Sequence, residues 1–363
     1  MGSAVAALSG RQIFSVGNII YVWEDVVLAS VLRGDWVALE REVRAGIACL
    51  KRLEEAEDEE DVLPQDEINS AAEEFRYARD LVAAEEMERW LERRGLTADD
   101  WMDYIQRSLL IKKWADELEA IQQEYTVDQD EVDDVILCHA ICGGHATEWA
   151  ATLAGRVATF AGIAEDACNR TDACGDEQAT HVADALRVKI ATRDVPRCLG
   201  DVGPERLKTL ARLEVAWQEF STRRATPKAI REQIAANRLE WIHFRVRSIF
   251  LRDLDAAREA ALCIRQDGLD PAEVAAESGG EFTEAEWYLD DADPALRDHL
   301  LGAQAGDVLG PLRVNGGFAV MSVRAKQPPS ENDPALVGRA SQVLLNRTVR
   351  REVEGRVQWM ESL

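Results

Sequence analysis

Residues 241–251 read Trp-Ile-His-Phe-Arg-Val-Arg-Ser-Ile-Phe-Leu, and the character of the sequence changes at this stretch. β-Branched and aromatic residues are frequent in it, and apolar residues partly alternate with polar ones. This composition and this period of two are typical of a β-strand. The residues before it follow a helical pattern. We therefore predict that a helical N-terminal region gives way to a mixed α/β region at Glu240.

After this strand, glycine and proline divide the sequence into short elements. The predicted order is a helix over 255–266 ending near Gly268, a short helix from Pro271, a turn at Gly279-Gly280, an irregular segment, a short helix over 294–301, a strand within 306–312, a turn at Gly316-Gly317 and a strand over 318–323.

Before this strand, apolar residues recur at three- and four-residue spacing from Gly17 to Glu124, for example at Ile68, Phe75 and Val82. Gly95 ends one predicted helix and Thr97 caps the next. A long helix is predicted over 130–160, and further helices are predicted over 177–193, 204–220 and 227–239.

The C-terminal segment after Pro328-Pro329 predicts an amphipathic helix, which must bury its apolar stripe against another element. The stripe consists of Leu336, Ala340, Val343, Val349, Val353, Val357 and Met360. We predict a mainly helical α+β protein with a helical domain at 1–239, an α/β domain at 240–327 and a C-terminal helix at 328–363 that packs back on the helical domain.

Composition restricts the functions that this chain can have. Its 363 residues carry 67 acidic and 42 basic side chains, and a net charge of −25 argues against nucleic acid as a partner. The first 17 residues lack a basic stretch followed by an apolar run, and no segment approaches the length of a membrane helix. We expect a cytoplasmic protein without a membrane partner, with its seven cysteines reduced.

Seven of the eight residues from Glu54 to Asp61 are acidic, and Pro64 closes this run. Such a run repels itself, so we predict an exposed acidic loop near 54–64. A solvated surface explains the run; docking of a partner is the alternative.

Several strings after Glu240 resemble the parvulin family of prolyl isomerases. Arg-Ser-Ile-Phe-Leu at 247–251 resembles the first parvulin strand, where Arg-His-Ile-Leu-Val is usual. Gly-Leu-Asp-Pro-Ala-Glu-Val-Ala at 268–275 is similar to the segment Gly-x-Asp-Phe-x-x-Leu-Ala. Ala-Gly-Asp-Val-Leu-Gly-Pro at 305–311 resembles the Gly-Asp/Glu-Val-x-Gly-Pro turn, and 316–323 corresponds to the last strand. These strings cover about a quarter of the chain.

The order of domains resembles the SurA and PrsA chaperones, in which a C-terminal helix returns to the N-terminal helices. The chain also resembles cytoplasmic parvulin-related peptide maturation proteins, associated with ribosomally made, post-translationally modified peptides. This resemblance implies one degenerate parvulin (PpiC-type) domain, no cofactor, and a precursor or leader peptide and its modifying enzymes as partners.

The resemblance also locates the two histidines of the parvulin site. The histidine of the first strand corresponds to Ser248 and that of the last strand to Ala319. A hydroxyl group remains at one position and a methyl group at the other, so we predict no catalytic residues and no working isomerase.

A groove for a peptide can remain without the histidines. Phe244, Val246, Ser248 and Phe250 share one strand face, and we expect Phe318 to approach it from the last strand. Trp287 and Tyr288 lie in the irregular segment and are candidates for its wall. These seven residues are the predicted peptide-binding set; core packing is the alternative role of the aromatic ones.

Five of the seven cysteines and three of the five histidines lie between Cys138 and Cys198. Cys138, Cys142 and His145 have the spacing i, i+4, i+7, which places them on one face of the predicted long helix. Sulfur and imidazole suit zinc or copper, but the spacing matches no known zinc motif, so the prediction is no metal, with these three as candidates.

The sequence therefore favours a non-catalytic protein that holds a precursor peptide for its maturation enzymes. The alternatives are a weak prolyl isomerase that uses Ser248, a metal-dependent maturation enzyme, and a general holdase chaperone. Addition of the peptide as a strand and binding in an apolar groove are both open.

Overall fold

The computed structural model describes residues 7–55, 62–167, 204–314 and 316–360. It confirms a mainly helical α+β protein. The chain divides into two compact units, the first formed by Met1–Phe220 together with Arg347–Leu363 and the second by Ser221–Asn346. Most of the predicted acidic loop and the helix predicted over 177–193 lie outside the described residues. The predicted domain boundaries at 239 and 327 stay predictions.

Helices make up most of the first unit. They are α1 (Trp23–Arg33), α2 (Asp35–Glu54), α3 (Gln65–Tyr77), α4 (Ala84–Glu92), α5 (Ala98–Lys113), α6 (Leu118–Glu124), α7 (Gln129–Cys142), α8 (His145–Ala167) and α9 (Pro204–Arg224), whose last residues belong to the second unit.

The N-terminal caps follow the local sequence. The Thr97 hydroxyl accepts a hydrogen bond from the backbone N–H of Asp100 at 3.1 Å, and the Asp100 carboxylate accepts from the backbone N–H of Thr97 at 2.8 Å. This reciprocal pair satisfies two N–H groups that the first turn of α5 leaves unpaired, which confirms the predicted start of this helix.

The predicted apolar period does not extend to Val82, which lies outside α3 and is 62% exposed.

The prediction of helix from Gly17 onward is wrong at its start. The chain forms a hairpin of β1 (Gln12–Val16) and β2 (Ile19–Val22), and β1 also pairs with β7 (Val357–Trp359). Gly17, at φ 60°, opens the two-residue turn between the strands. A glycine and an asparagine between two apolar runs are a hairpin signal, and this signal competes with the helical period.

The predicted long helix over 130–160 is two helices, because α7 ends at Cys142 and α8 begins at His145. Between them Gly144 has φ 81°, a backbone conformation that residues with a Cβ atom rarely adopt. The break changes the direction of the chain after Cys142. Cys138, Cys142 and His145 therefore do not lie on the face of a single helix.

The second unit is built on a four-stranded antiparallel sheet with strand order β4-β3-β6-β5. Its elements are α10 (Pro227–Ala236), β3 (His243–Leu251), α11 (Leu254–Leu262), α12 (Pro271–Ser278), β4 (Glu281–Tyr288), α13 (Pro294–Gly302), β5 (Val308–Val314), β6 (Gly317–Gln327) and the first half of α14 (Pro334–Arg356). The segment predicted as irregular after Gly279-Gly280 is strand β4.

Apolar clusters cover both faces of this sheet, each at one end of β3. On one face, Phe244 and Val246 pack with Leu296 and Leu300 of α13. The other face is covered by α11 and α12; its cluster includes Ile249, Leu251, Ala257, Ala260, Val274 and Val320. Side chains alternate along a strand, so the two clusters lie on opposite faces of β3, one near each of its ends.

The C-terminal segment is shorter as a helix than predicted. Leu336 and Ala340 are buried, but α14 ends at Arg356, Val357 begins β7, and Met360 is 42% exposed. A Cβ on Gly155 would lie 2.5 Å from a methyl carbon of Val349, so the close approach of α14 to α8 requires glycine there. Within the described residues, we find no helix with the length and apolar character needed to span a membrane.

Candidate functional site

The central strand β3 organises the candidate site. Phe244, Val246, Ser248 and Phe250 alternate along it and point to one side of the sheet, which we call the Ser248 face. The neighbouring strand β6 adds further residues to this face, because the residues opposite each other in a pair of strands point the same way. These are Ala319 opposite Phe250, Met321 opposite Ser248 and Val323 opposite Val246.

One end of the Ser248 face is closed. Phe244 and Val246 are fully buried beneath α13, in the cluster that also contains Leu289 and Met321. A peptide has no access to these two side chains. Of the two roles that the sequence left open for Phe244, the structure places it in the core.

The other end of the Ser248 face is more open. Ser248 and Phe250 are half-buried and lie outside both apolar clusters of the sheet. The Phe250 ring lies against the turn before β6, where a Cβ on Gly317 would approach Phe250 Cζ to 2.9 Å. Ala319 lies directly opposite Phe250, and Leu312 of β5 lies opposite Ala319. This end of the face is therefore a strip of apolar groups with one hydroxyl.

Ser248 and Ala319 lie on adjacent central strands of the same face. Ser248 pairs with Met321, two residues from Ala319, so the two are diagonal neighbours. The Ser248 hydroxyl is 3.5 Å from the carbonyl oxygen of Thr283, which is at most a weak hydrogen bond. The two positions at which the resemblance expects histidine therefore come together, but neither side chain titrates near neutral pH.

Trp287 and Tyr288 project to opposite sides of β4. Trp287 pairs with Phe244 and packs on the closed end of the Ser248 face. Tyr288 lies on the other side, where the Arg339 guanidinium carbon is 4.8 Å from its ring centroid and Asp333 is 3.4 Å from its hydroxyl. Both side chains are half-buried, and Tyr288 does not belong to the Ser248 face.

The prediction that Phe318 approaches the Ser248 face is wrong. Phe318 pairs with Leu251, and both pack against the cluster beneath α11 on the opposite side of the sheet. The expected register was one residue off, and a shift of one residue in a strand reverses the direction of every side chain.

A second group of chemically active side chains lies in the helical unit. Glu42 of α2, His139 of α7 and His145 of α8 can each offer one ligand atom, and these atoms lie within 4.8 Å of one another. Glu42 and His139 were missed in the sequence, because the spacing between a residue of α2 and one of α7 follows no short motif.

The two cysteines of the predicted metal set lie close together in α7. Their sulfur atoms are 3.8 Å apart, and the Cys138 thiol is 3.2 Å from the carbonyl oxygen of Asp100. The contact with Cys138 and burial raise the pKa of the Cys142 thiol, which favours the protonated form. The Cys142 group therefore acts as a buried thiol, and Cys138 is buried beside it. Cys168, Cys174, His181 and Cys198 lie outside the described residues.

Comparison with known proteins adds little to this geometry. No protein-family model matches the sequence, and no curated protein matches it either. A crystal structure of PrsA from Bacillus subtilis matches at 14% sequence identity and a TM-score of 0.23, over 60% of this chain and 86% of that chain. Similarity at that level carries no argument about function.

Proposed function

We propose that this protein holds a peptide on the open end of the Ser248 face and does not isomerise it. The observation that supports this most directly is the diagonal placement of Ser248 and Ala319 on adjacent central strands, beside the half-buried ring of Phe250, which pairs with Ala319. An apolar strip with one hydroxyl can hold an apolar or proline side chain by burying its surface.

The same geometry argues against catalysis. Rotation about a peptide bond must overcome a barrier of about 18–20 kcal/mol. A serine hydroxyl and an alanine methyl stand where the parvulin resemblance expects two imidazoles, and they offer no group with a pKa near neutral pH for proton transfer. We therefore expect proline-containing peptides to isomerise at the uncatalysed rate in the presence of this protein.

The class of peptide follows from the sequence resemblance. The strings at 247–251, 268–275, 305–311 and 316–323 resemble the parvulin family in general, and the further resemblance to cytoplasmic parvulin-related peptide maturation proteins suggests the ligand. We infer that the ligand is the precursor of a ribosomally made modified peptide, held for its maturation enzymes. The net charge of −25 favours a basic segment in that ligand.

The test is calorimetric titration of the full chain with the precursor peptide encoded nearest its gene, at two salt concentrations. We expect micromolar or tighter binding, which weakens with salt if the acidic surface contributes. Phe250→Ala should weaken binding about tenfold, because an aromatic contact at the centre of an interface is worth more than about 1 kcal/mol.

Phe282→Ala is the matched control. Phe282 is an aromatic residue of the same sheet, 36% exposed, but it pairs with Ile249 and so points away from the Ser248 face. We expect this variant to bind within about twofold of the wild type. Equal losses in both variants, or no saturable binding at all, would contradict the proposal. Equal affinity for unrelated unfolded peptides would indicate a general holdase instead.

A further inference from the structure

We propose that Glu42, His139 and His145 form a binding site for one divalent transition-metal ion of the zinc type. His139 Nε2 is 3.2 Å from Glu42 Oε1, and His145 Nε2 is 3.8 Å from Glu42 Oε2. Ligand atoms about 2.0–2.2 Å from a shared tetrahedral zinc ion are separated by roughly 3.3 Å. The two contacts with Glu42 are therefore near the spacing that coordination requires, and all three ligand atoms lie within 4.8 Å of one another.

The turn between α7 and α8 brings the two histidines together. A Cβ on Gly143 would lie 2.7 Å from His145 Cδ2 and 2.8 Å from the carbonyl oxygen of His139. Only glycine leaves room for the His145 ring at this place. The two rings lie nearly parallel, with centroids 6.2 Å apart and an interplanar angle of 19°.

The orientation of the His139 ring suits a metal ion. Nε2 faces Glu42, whereas Nδ1 is buried and has no hydrogen-bond partner among the described residues. In the tautomer that carries its proton on Nδ1, Nε2 presents its lone pair to an ion held beside the Glu42 carboxylate.

The donor set selects the class of metal. Two imidazoles and one carboxylate suit zinc and its first-row neighbours, whereas calcium and magnesium prefer oxygen ligands alone. Glu42 is 45% and His145 is 32% exposed in their side chains, whereas His139 is 1% exposed. The ion would thus rest on a buried histidine and keep a side open to water, as in zinc sites with three protein ligands.

The experiment uses the full chain, stripped with a chelator and titrated with Zn²⁺ by calorimetry. We expect one ion per chain at this site. Glu42→Gln and His145→Ala should each weaken binding by at least about 100-fold, since even residues that only orient a ligand change affinity about 10–100-fold. Both side chains are partly exposed, so both variants should fold, which circular dichroism will check. His299→Ala removes an exposed histidine of the second unit and should bind like the wild type.

A second readout separates this site from the cysteines. Co²⁺ bound to the cluster should show visible d–d bands without the near-ultraviolet charge-transfer band of a thiolate ligand, and His145→Ala should abolish those bands. Absence of Zn²⁺ binding, or equal binding by Glu42→Gln, His145→Ala and the wild type, would overturn the proposal. A thiolate band that persists in both variants would assign the metal to cysteine and overturn it too. The outcome is independent of peptide binding.

Discussion

The Ser248 face and the Glu42–His139–His145 cluster differ in how the chain builds them. The face is made of two neighbouring strands, and its central residues follow one another along β3 at a period of two. The cluster is assembled from three helices, with Glu42 and His139 separated by 97 residues. The Ser248 face can be recognised from a short stretch of sequence, whereas the cluster depends on how α2, α7 and α8 pack.

The two regions also differ in chemistry. The face with the recognisable motif carries a hydroxyl and a methyl at its two central positions, whereas the cluster without a motif has two imidazoles and a carboxylate whose ligand atoms lie within 4.8 Å of one another. A resemblance to a catalytic family can thus point to a surface whose central side chains are unreactive, while side chains that can bind an ion lie elsewhere in the chain. Fold and site have to be argued separately.

The largest expected effect tests whether the closed end supports the Ser248 face. Phe244→Ala removes a fully buried ring beneath α13 and should lower the free energy of unfolding of the second unit by about 3–5 kcal/mol, through lost burial and the cavity that remains. Because the chain has two units, the quantity to measure is the free energy of local opening rather than that of unfolding the whole chain. Hydrogen exchange of the β3 amides should show the reduced opening free energy.

Phe282→Ala is again the control, since this ring is partly exposed and should change the opening free energy of β3 by less than about 1 kcal/mol. If Phe244→Ala leaves hydrogen exchange of the β3 amides unchanged, the closed end of the Ser248 face does not stabilise β3 as its packing indicates.

Much of the second unit could be predicted from local sequence. The strand at 243–251, the hairpin at Gly316-Gly317 and the helical segment that ends at Gly268, where α11 continues as a π-helical turn over Cys263–Asp267, follow from composition and glycine turns, which act over a few residues. Strand β4 was missed because Glu281, Glu284 and Glu286 disfavour a strand by propensity. Pairing of the last two with arginines of β3 overrides that preference.

The first unit shows where prediction fails. The hairpin at Gly17 was hidden by the helical pattern that follows it, and β7 is a strand only because β1 offers an edge to pair with. The helical period hides the break at Gly143-Gly144 and so groups His145 with Cys138 rather than with His139. Each error concerns a partner that is distant in sequence, which local periodicity does not encode.

The second prediction concerns the pH dependence of the cluster. Burial lowers the pKa of His139 below its usual value of about 6.5, while Glu42 opposes this shift and Arg107 and His145 add to it. The unfolded chain then takes up a proton near pH 6.5 that the folded chain does not. The contribution of the neutral His139 to the free energy of unfolding should therefore be complete above about pH 6.5 and decrease as the pH falls below it.

One such group changes the free energy of unfolding by at most about 1.4 kcal/mol per pH unit. His139→Gln keeps a hydrogen bond to Glu42 possible but cannot titrate, so its melting temperature should change less between pH 7 and pH 5.5 than that of the wild type. A nuclear magnetic resonance titration of the His139 ring provides the direct check. A pKa at or above 6.5 would show that burial does not control this group.

The smallest expected effect is at the centre of the Ser248 face. The Ser248 hydroxyl has only a weak contact with Thr283, so Ser248→Ala should change stability by less than about 0.5 kcal/mol. Peptide affinity should stay within about twofold, because the neighbouring Phe250 supplies the apolar area. Proline isomerisation should proceed at the uncatalysed rate with either protein. An isomerase activity that Ser248→Ala removes would instead assign chemistry to this hydroxyl. The contrast between a face without reactive groups and a cluster of two imidazoles and a carboxylate would then no longer stand.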